Sequence, residues 1–352
     1  MNSLYGKRIL VTGYTGFLGQ HITEYLKNQN SHVLYPRNYI GGGRLERTDL
    51  LNFEIVKGLF KAANPDVVLH LAGYNGGISF NLENPADIFF RNTVMGLNVL
   101  EAAKQNKIKK VVSIVASCAY PEEQWIDIPQ RGSYDFFEMK KCVDRQTCPE
   151  DEFFKGPIHD SVAPHGYAKR NLQLASKFYN QQYGLNAVCL CPTTLYGPGD
   201  TYDLSRTKVM GALVKKIVDA KQQNLPELVM YGSGAAKREF IYVKDAAQLI
   251  CEAAPLYNDS SIPLNIGSGQ EIQIKDLVEL ISKIVGYSGT IKWDISKPDG
   301  QLRKKLDSSK LENLLGESMK ATFNFTSLKD GIKETIQDYG TRFIECDGNG
   351  TF

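Results

Sequence analysis

The sequence predicts an α/β protein, a doubly wound parallel sheet with a smaller mixed α/β lobe following it. Three observations predict this class. Short apolar runs alternate with helix-period segments through the first half of the chain. A glycine-rich turn joins the first run to the first helix. From about residue 192 the regular alternation gives way to a mixed pattern. Strand–helix alternation implies parallel strands covered on both faces, because each crossover lays a helix across the sheet. The expected architecture is a Rossmann-type nucleotide-binding domain over 1–191 and a substrate lobe over 192–345, interleaved with it.

Each element follows from its pattern. Arg8–Val11, His32–Leu34, Val67–Leu71, Val111–Val115 and Ala187–Cys191 read as buried strands. Segments near 17–28, 52–62, 91–106 and 167–182 read as the helices between them. In the second part, helices are expected near 207–222, 245–256 and 274–285, with a strand at Glu227–Met230 and a charged loop from Gly300 to Asp307. The stretch 121–164 is long, charged and aromatic. A patternless segment of that length inside a compact domain is usually functional or disordered. It reads as an insert covering the substrate, with Asp127, Asp135, Glu138, Asp151 and His159 as undifferentiated candidates.

Bulk numbers remove several function classes. The 352 residues carry 41 basic and 39 acidic side chains, a net charge of +2, so charge suggests neither a nucleic-acid nor a membrane partner. No apolar run is long enough to span a bilayer, and the start lacks an export pattern. Seven cysteines show no metal-type pairing, so no metal is expected, and their odd number favours a reducing cytoplasm.

The chemistry begins at Gly13-Tyr14-Thr15-Gly16-Phe17-Leu18-Gly19. Glycines let a backbone turn tightly and approach a pyrophosphate, and a helix N-terminus offers it free N–H groups. After the second strand, where an acid would hold the ribose hydroxyls of NAD, stands Tyr35-Pro36-Arg37-Asn38. Arg37 suits a 2′-phosphate, favouring NADP(H) over NAD(H), unless it is an ordinary exposed arginine.

Further motifs carry a resemblance. They are Gly73-Tyr74-Asn75-Gly76-Gly77, Ser117-Cys118-Ala119-Tyr120-Pro121, His165-Gly166-Tyr167-Ala168-Lys169, Pro192-Thr193-Thr194-Leu195-Tyr196-Gly197, Tyr231-Gly232-Ser233-Gly234 with Arg238-Glu239-Phe240, and Lys297-Pro298-Asp299-Gly300 with Arg303-Lys304. Over roughly residues 7–340 the chain resembles the extended short-chain dehydrogenases/reductases, the epimerase/dehydratase family, and within them the GDP-L-fucose synthase group. The resemblance implies an NADPH-dependent epimerase–reductase of a GDP-linked sugar such as GDP-4-keto-6-deoxymannose. It also implies a homodimer through the helices near 91–106 and 167–182.

The resemblance assigns roles unevenly. Lys169 matches the lysine that holds the nicotinamide ribose, and Cys118 the cysteine used in epimerisation beside the ketone. The hydroxyl that binds the sugar oxygen should fall at Ala116, with Ser117 adjacent but turned away on a regular strand. The proton-transferring tyrosine is His165, and the second epimerisation residue, a histidine in the family, is Lys208. By the same resemblance Asp49 and Leu50 would lie near the adenine, and Leu71, Ala72 and Gly73, with Pro192 and Thr194, would line the cofactor. Asn75, Gly76, Val209, Tyr231, Arg238, Lys297 and Arg303 would line the substrate. His165 reads either as a neutral imidazole base or as a packed polar residue in a site that lost hydride chemistry. Cys118 could be a small buried apolar residue, Lys208 a solvated one, and Arg238 half of a surface pair with Glu239. The leading reading is an oxidoreductase/epimerase working at C4 and neighbouring carbons of a hexose or heptose. The others are a silent binder of NADP or nucleotide sugar, and a dehydratase or epimerase that consumes no cofactor.

Overall fold

In the computed structural model, residues 3–40, 44–122, 124–128, 138–142, 147–296 and 301–344 are described, with side chains outside 37–47, 123–146 and 317–321. In chain order the first half comprises β1 (Arg8–Thr12), α1 (Phe17–Asn28), β2 (His32–Leu34), β3 (Arg37–Ile40), β4 (Arg44–Arg47) and α2 (Phe53–Ala63). Then come β5 (Val67–His70), α3 (Ile78–Glu83), α4 (Pro85–Gln105), β6 (Lys110–Ile114), β7 (Gln124–Ile128), β8 (Glu138–Cys142), α5 (Ala163–Tyr183) and β9 (Asn186–Pro192). The remainder holds β10 (Thr194–Tyr196), α6 (Val209–Gln222), β11 (Glu227–Tyr231), β12 (Lys237–Tyr242), α7 (Val243–Ala253) and β13 (Leu264–Ile266). It closes with β14 (Glu271–Gln273), α8 (Ile274–Val285), β15 (Thr290–Asp294), β16 (Arg303–Lys304), α9 (Ser309–Thr322) and α10 (Leu328–Phe343).

Six strands form one parallel sheet in the order β13-β9-β6-β5-β1-β2. The order reverses between β1 and β5, and such a switch point opens a crevice at the C-terminal strand ends. One apolar core packs α1 and α7 on one face, through Ile22, Leu26, Ala246 and Ile250. A second packs α2, α4 and α5 on the other, through Phe60, Leu100 and Leu172. A third core fills the C-terminal lobe between α6, α8, α10 and β12. The chain crosses between the lobes, because β13 returns to the main sheet from beyond residue 191. Asn265 anchors that return. Its Nδ2 donates to the carbonyls of Cys148 and Asp307 at 2.9 and 3.0 Å, and Tyr120 donates to its Oδ1 at 2.7 Å.

Two helices start earlier than their apolar period suggests. α4 begins at Pro85 and α5 at Ala163, followed by Pro164, because the first helical turn tolerates a missing N–H. His165 therefore sits in a helix, not in the loop before it. The long insert contains the antiparallel pair β7–β8. Its base is tied down: Glu122 N–H donates to Pro157 O at 2.9 Å and Cys148 N–H to Lys305 O at 2.8 Å. Asp127, Asp135 and Glu138 lie outside the described side chains. Asp151 is exposed, and His159 lies 3.6 Å from Glu122.

Candidate active site

The cofactor cradle is built by close backbone approach. Gly13 has φ +74°, and a Cβ there would stand 2.6 Å from Ala72 N. A Cβ on Gly19 would stand 2.1 Å from Gly13 O. Only glycine fits at either position. Gly16 caps α1 with no side-chain hydrogen bond, and the first turn at Phe17 and Leu18 holds no acid, so its N–H groups stay open to an anion. Thr15 is exposed beside them, and Leu18 anchors the turn in the core. Across the crevice Leu71 N–H donates to Thr12 O at 3.1 Å. Asn92 brackets Tyr74, accepting from its N–H at 3.0 Å and donating to its carbonyl at 2.7 Å, which fixes the Leu71–Gly73 strand end. The Asp49 carboxylate accepts from Leu51 N–H at 3.0 Å, and Leu50 is buried with its carbonyl held by Asn98 at 2.9 Å. Tyr14 and Tyr35 meet edge to face at 4.8 Å beside this rim. Arg37 opens β3, and its side chain lies outside the described residues.

The candidate reaction centre lies where the first turn of α5 meets residues 117–119. These fold into one 3₁₀ turn, so the expected strand stops at Ile114 and strand alternation does not govern Ser117, which is buried. Cys118 is half-buried. A Cβ on Gly166 would stand 3.0 Å from Cys118 O, so α5 can lie against the turn only with glycine after His165. Arg170 secures the contact, donating to Ala119 O at 2.8 Å and Gly156 O at 2.9 Å.

His165 is buried, and its Nδ1 has no hydrogen-bond partner among the described residues. Burial, then the Lys169 and Lys208 charges, hold its pKa well below the usual histidine range. That direction favours the neutral imidazole. Lys169, four residues on along the same helix face, donates to Ile114 O at 2.8 Å, and burial pushes its amine down to about 8. Pro192 ends β9 in the core, and Thr194 opens β10 beside it.

His70 was not singled out by sequence reasoning. It ends β5, its Nδ1 lies 2.8 Å from Thr12 Oγ1, and burial followed by the Lys169 charge pushes it down to about 3. The signal was a histidine closing an otherwise apolar run.

On the substrate side, Lys208 stands exposed at the N-cap of α6, before Val209, within electrostatic reach of His165, Lys169 and Lys304. Lys304 is the second residue that sequence reasoning passed over as a site. Opposite Arg238 on β12, it faces Cys118, and burial lowers its amine's pKa. Alternation turns its neighbour the other way: Arg303 forks onto Glu271 at 2.8 and 2.7 Å. Arg238 and Glu239 form no surface pair. Glu239 is fully buried, and its carboxylate accepts N–H groups of Ser268, Gly269 and Leu306 at 2.9, 2.8 and 2.8 Å. That cage locks the segment before Asp307 to β12 and so places Lys304. Arg238 is half-buried and donates to Lys237 O at 2.7 Å.

Tyr231 is 65% exposed, with the Lys216 amine 4.5 Å above its ring. Asn75 accepts from Asn81 at 3.0 Å, and Gly76 leaves room for Phe80. Lys297 lies outside the described residues.

The family model described as the NAD dependent epimerase/dehydratase family matches residues 9–267, most of the chain. The chain belongs to that family. Among epimerase/dehydratase relatives it is 31% identical over 342 residues to a probable GDP-L-fucose synthase 1 of Oryza sativa subsp. japonica, covering 97% of this chain and 94% of that protein. It is 30% identical to GDP-L-colitose synthase of Yersinia pseudotuberculosis, with 94% and 97% covered. In fold it matches a GDP-L-fucose synthetase from Naegleria fowleri bound to NADP, with TM-score 0.77, 24% identity, and 96% and 95% of the chains covered. It also matches a GDP-6-OMe-4-keto-L-xylo-heptose reductase from C. jejuni, with TM-score 0.78, 23% identity, and 97% and 99% covered.

Proposed function

We propose that this protein is an NADP(H)-dependent oxidoreductase/epimerase of a GDP-linked hexose or heptose, acting at C4 and the carbons beside it. The observation that carries the reading is the convergence of Cys118, His165, Lys169 and Lys208 beside the Gly13–Gly19 cradle. The names of the relatives and the family membership support it. When bound, the dinucleotide supplies or accepts hydride. The residues present fit it: the open α1 N-terminus suits its diphosphate, and a Cβ at Gly13 or Gly19 would fill the space the turn needs.

The chain itself must move the protons. A C4 ketone that gains hydride also needs a proton on its oxygen, and alcohol oxidation returns both. His165 and Lys169 hold one proton between them near neutral pH, on Lys169. His165 is therefore the acceptor in oxidation, and Lys169 the source in reduction, directly or through a water. Cys118 removes a proton from the carbon beside the ketone, and Lys208 returns one to the opposite face. Arg238 and Lys304 meet the substrate diphosphate, while Tyr231 with Lys216 offers a flat platform to the base.

The test is reduced-cofactor absorbance with NADPH and GDP-4-keto-6-deoxymannose, with products identified by mass. Wild type should consume NADPH and form a reduced sugar, and His165→Phe should lose about 100-fold or more in turnover with cofactor affinity unchanged. The missing hydroxyl at Ala116 favours a second reading, a binder without turnover. No consumption by wild type would select it.

Cofactor choice follows from Arg37. Arg37→Ala should raise the KM for NADPH about tenfold and leave that for NADH unmoved, since a 2′-phosphate fork carries roughly that discrimination. Equal changes for both would mean that Arg37 touches no phosphate.

A homodimer through α4 and α5 is part of the proposal. Phe89, Phe90 and Leu97 on α4, with Tyr167, Phe178 and Tyr183 on α5, are large, apolar and exposed. Light scattering should give twice the chain mass, reduced to one chain by Phe90→Lys with Leu97→Glu. A monomeric wild type would remove this element. No helix among the described residues is long and apolar enough to cross a membrane. We place the enzyme in the cytoplasm, where its free cysteines would stay reduced.

A further inference from the structure

Two loops that flank the candidate site come from different lobes and touch. Residues 71–77 run from β5 to α3, and residues 203–208 lead into α6, ending at Lys208. The first loop is held within its own lobe. Asn92 brackets Tyr74, and Asn81 Nδ2 is shared among Asn75 Oδ1, Gly76 O and Gly77 O at 3.0, 3.0 and 2.9 Å.

The second loop is a compact turn. It follows Asp200, whose carboxylate accepts from Thr201 N–H at 2.8 Å and is pushed up to about 6 by burial. The Tyr202 hydroxyl donates to Thr335 O at 2.9 Å, which anchors the start of the turn to α10. Asp203 O then accepts from Arg206 N–H and Thr207 N–H at 2.9 and 2.7 Å, and the Asp203 carboxylate accepts from Ser205 N–H at 3.0 Å. These last bonds shape the turn from within. What sets its far end against the cofactor lobe is packing.

Arg206 makes that contact. Its guanidinium lies 5.2 Å from the ring centroid of Phe80, on α3, and 5.9 Å from that of Tyr74. The two rings meet edge to face at 5.4 Å, and Arg91 on α4 covers Tyr74 at 5.0 Å. A cation within about 6 Å of a ring centroid is attracted by the ring quadrupole, and Arg206 has two such rings. The backbones close up at the same seam. A Cβ on Gly77 would stand 2.8 Å from Thr207 O, and a Cβ on Gly76 would stand 2.7 Å from the Phe80 side chain. Gly77 has φ −68°, so contact and not conformation demands glycine there.

We propose that Arg206, stacked on Tyr74 and Phe80, is a latch between the lobes, a positioning residue that sets the turn carrying Lys208 against the cofactor lobe. Lys208 is exposed and its side chain makes no capping hydrogen bond, so the turn decides where its amine stands. The proposal deepens the epimerase reading of the site and rests on it.

Two readouts test it. Hydrogen exchange followed by mass spectrometry needs no substrate. Arg206→Met should speed exchange in peptides spanning 203–208 about fivefold and leave those of α5 unmoved, because the turn loses both rings. Tyr74→Leu with Phe80→Leu should do the same, and adding Arg206→Met to that pair should change nothing more. Unchanged exchange in Arg206→Met overturns the proposal. The second readout is solvent deuterium entering the carbons beside the ketone of GDP-4-keto-6-deoxymannose. Arg206→Met should slow entry about fivefold with NADPH affinity unmoved, and Arg206→Lys, which keeps a cation over the rings, should restore much of it. Gly77→Ala pushes on Thr207 while leaving Arg206 in place, and it should slow entry as well. Slow entry in Arg206→Met with normal entry in Gly77→Ala would make Arg206 a substrate contact and overturn the latch, as would undiminished entry in Arg206→Met. If wild type admits no deuterium, the epimerase reading fails, and hydrogen exchange still decides whether the rings hold the turn.

Discussion

Replacing Lys169 by Met is expected to abolish turnover and stabilise the protein. Burial holds this amine at about 8 against 10.5 for a free lysine, so keeping it charged in the fold at pH 7 costs about 3 kcal/mol. Met has similar length and no charge. Its substitution leaves Ile114 O without the 2.8 Å donor, which returns about 1–2 kcal/mol of that gain. The net expectation is a gain of about 1–2 kcal/mol at pH 7 in urea unfolding. The pH dependence identifies the cause. Between about 8 and 10.5 the unfolded chain holds the proton and the folded one does not, so wild-type stability climbs with pH through that window. The advantage of Lys169→Met should be full below about 8, shrink as pH rises through the window, and turn into a deficit near 10.5, where only the lost hydrogen bond remains. Turnover should fall about 1,000-fold, since the variant loses both the ribose anchor and the proton reservoir for His165. A stabilised variant with intact turnover would make Lys169 a packing residue.

The legible parts of this molecule are those set by neighbours in sequence. The helices 17–28 and 274–285 appear at the residues their apolar periods mark. The cradle was legible too, because the constraint on Gly13 and Gly19 acts within one strand–turn–helix unit. β13 was not, since Leu264-Asn265-Ile266 is too short to show a period, pairs with the distant β9, and is anchored by Asn265 side-chain bonds to residues 148 and 307. Lys304 belongs to a two-residue strand whose orientation depends on Glu239, a carboxylate that sequence cannot distinguish from a surface one. The candidate reaction centre was proposed only by resemblance. Its groups come from the 117–119 turn, α5 and the loop before α6, and no local rule joins them. Nor could sequence show that His165 is buried within reach of two ammonium charges, the property on which its proposed chemistry turns.

Acid is expected to weaken the fold from about pH 6.5 downward, chiefly through two histidines. His70 is pushed down to about 3, by burial first and Lys169 second, and His165 lies well below its ordinary 6.5 for the same reasons, with Lys208 added. Both folded values lie below the unfolded one, so below pH 6.5 the unfolded chain binds more protons and stability falls with pH. For His70 this amounts to about 3 kcal/mol at pH 4.5 relative to neutral pH, and His165 adds in the same direction. Asp200 works in the opposite direction. Its folded value of about 6 exceeds 3.8, so its protonation favours the fold as pH falls through that window, by about 2 kcal/mol at pH 4.5. The two histidines outweigh it. Urea midpoints at pH 7 and 4.5 should show wild type losing several kcal/mol, a large share of a typical domain's stability. His70→Asn should remove most of the loss, His165→Gln should flatten it too, and Asp200→Asn should steepen it. Unchanged slopes in both histidine variants would mean that neither imidazole is held neutral. That result would remove the base from the proposed oxidation as well, because the burial that makes His165 costly to protonate is what leaves it free to accept the substrate's proton.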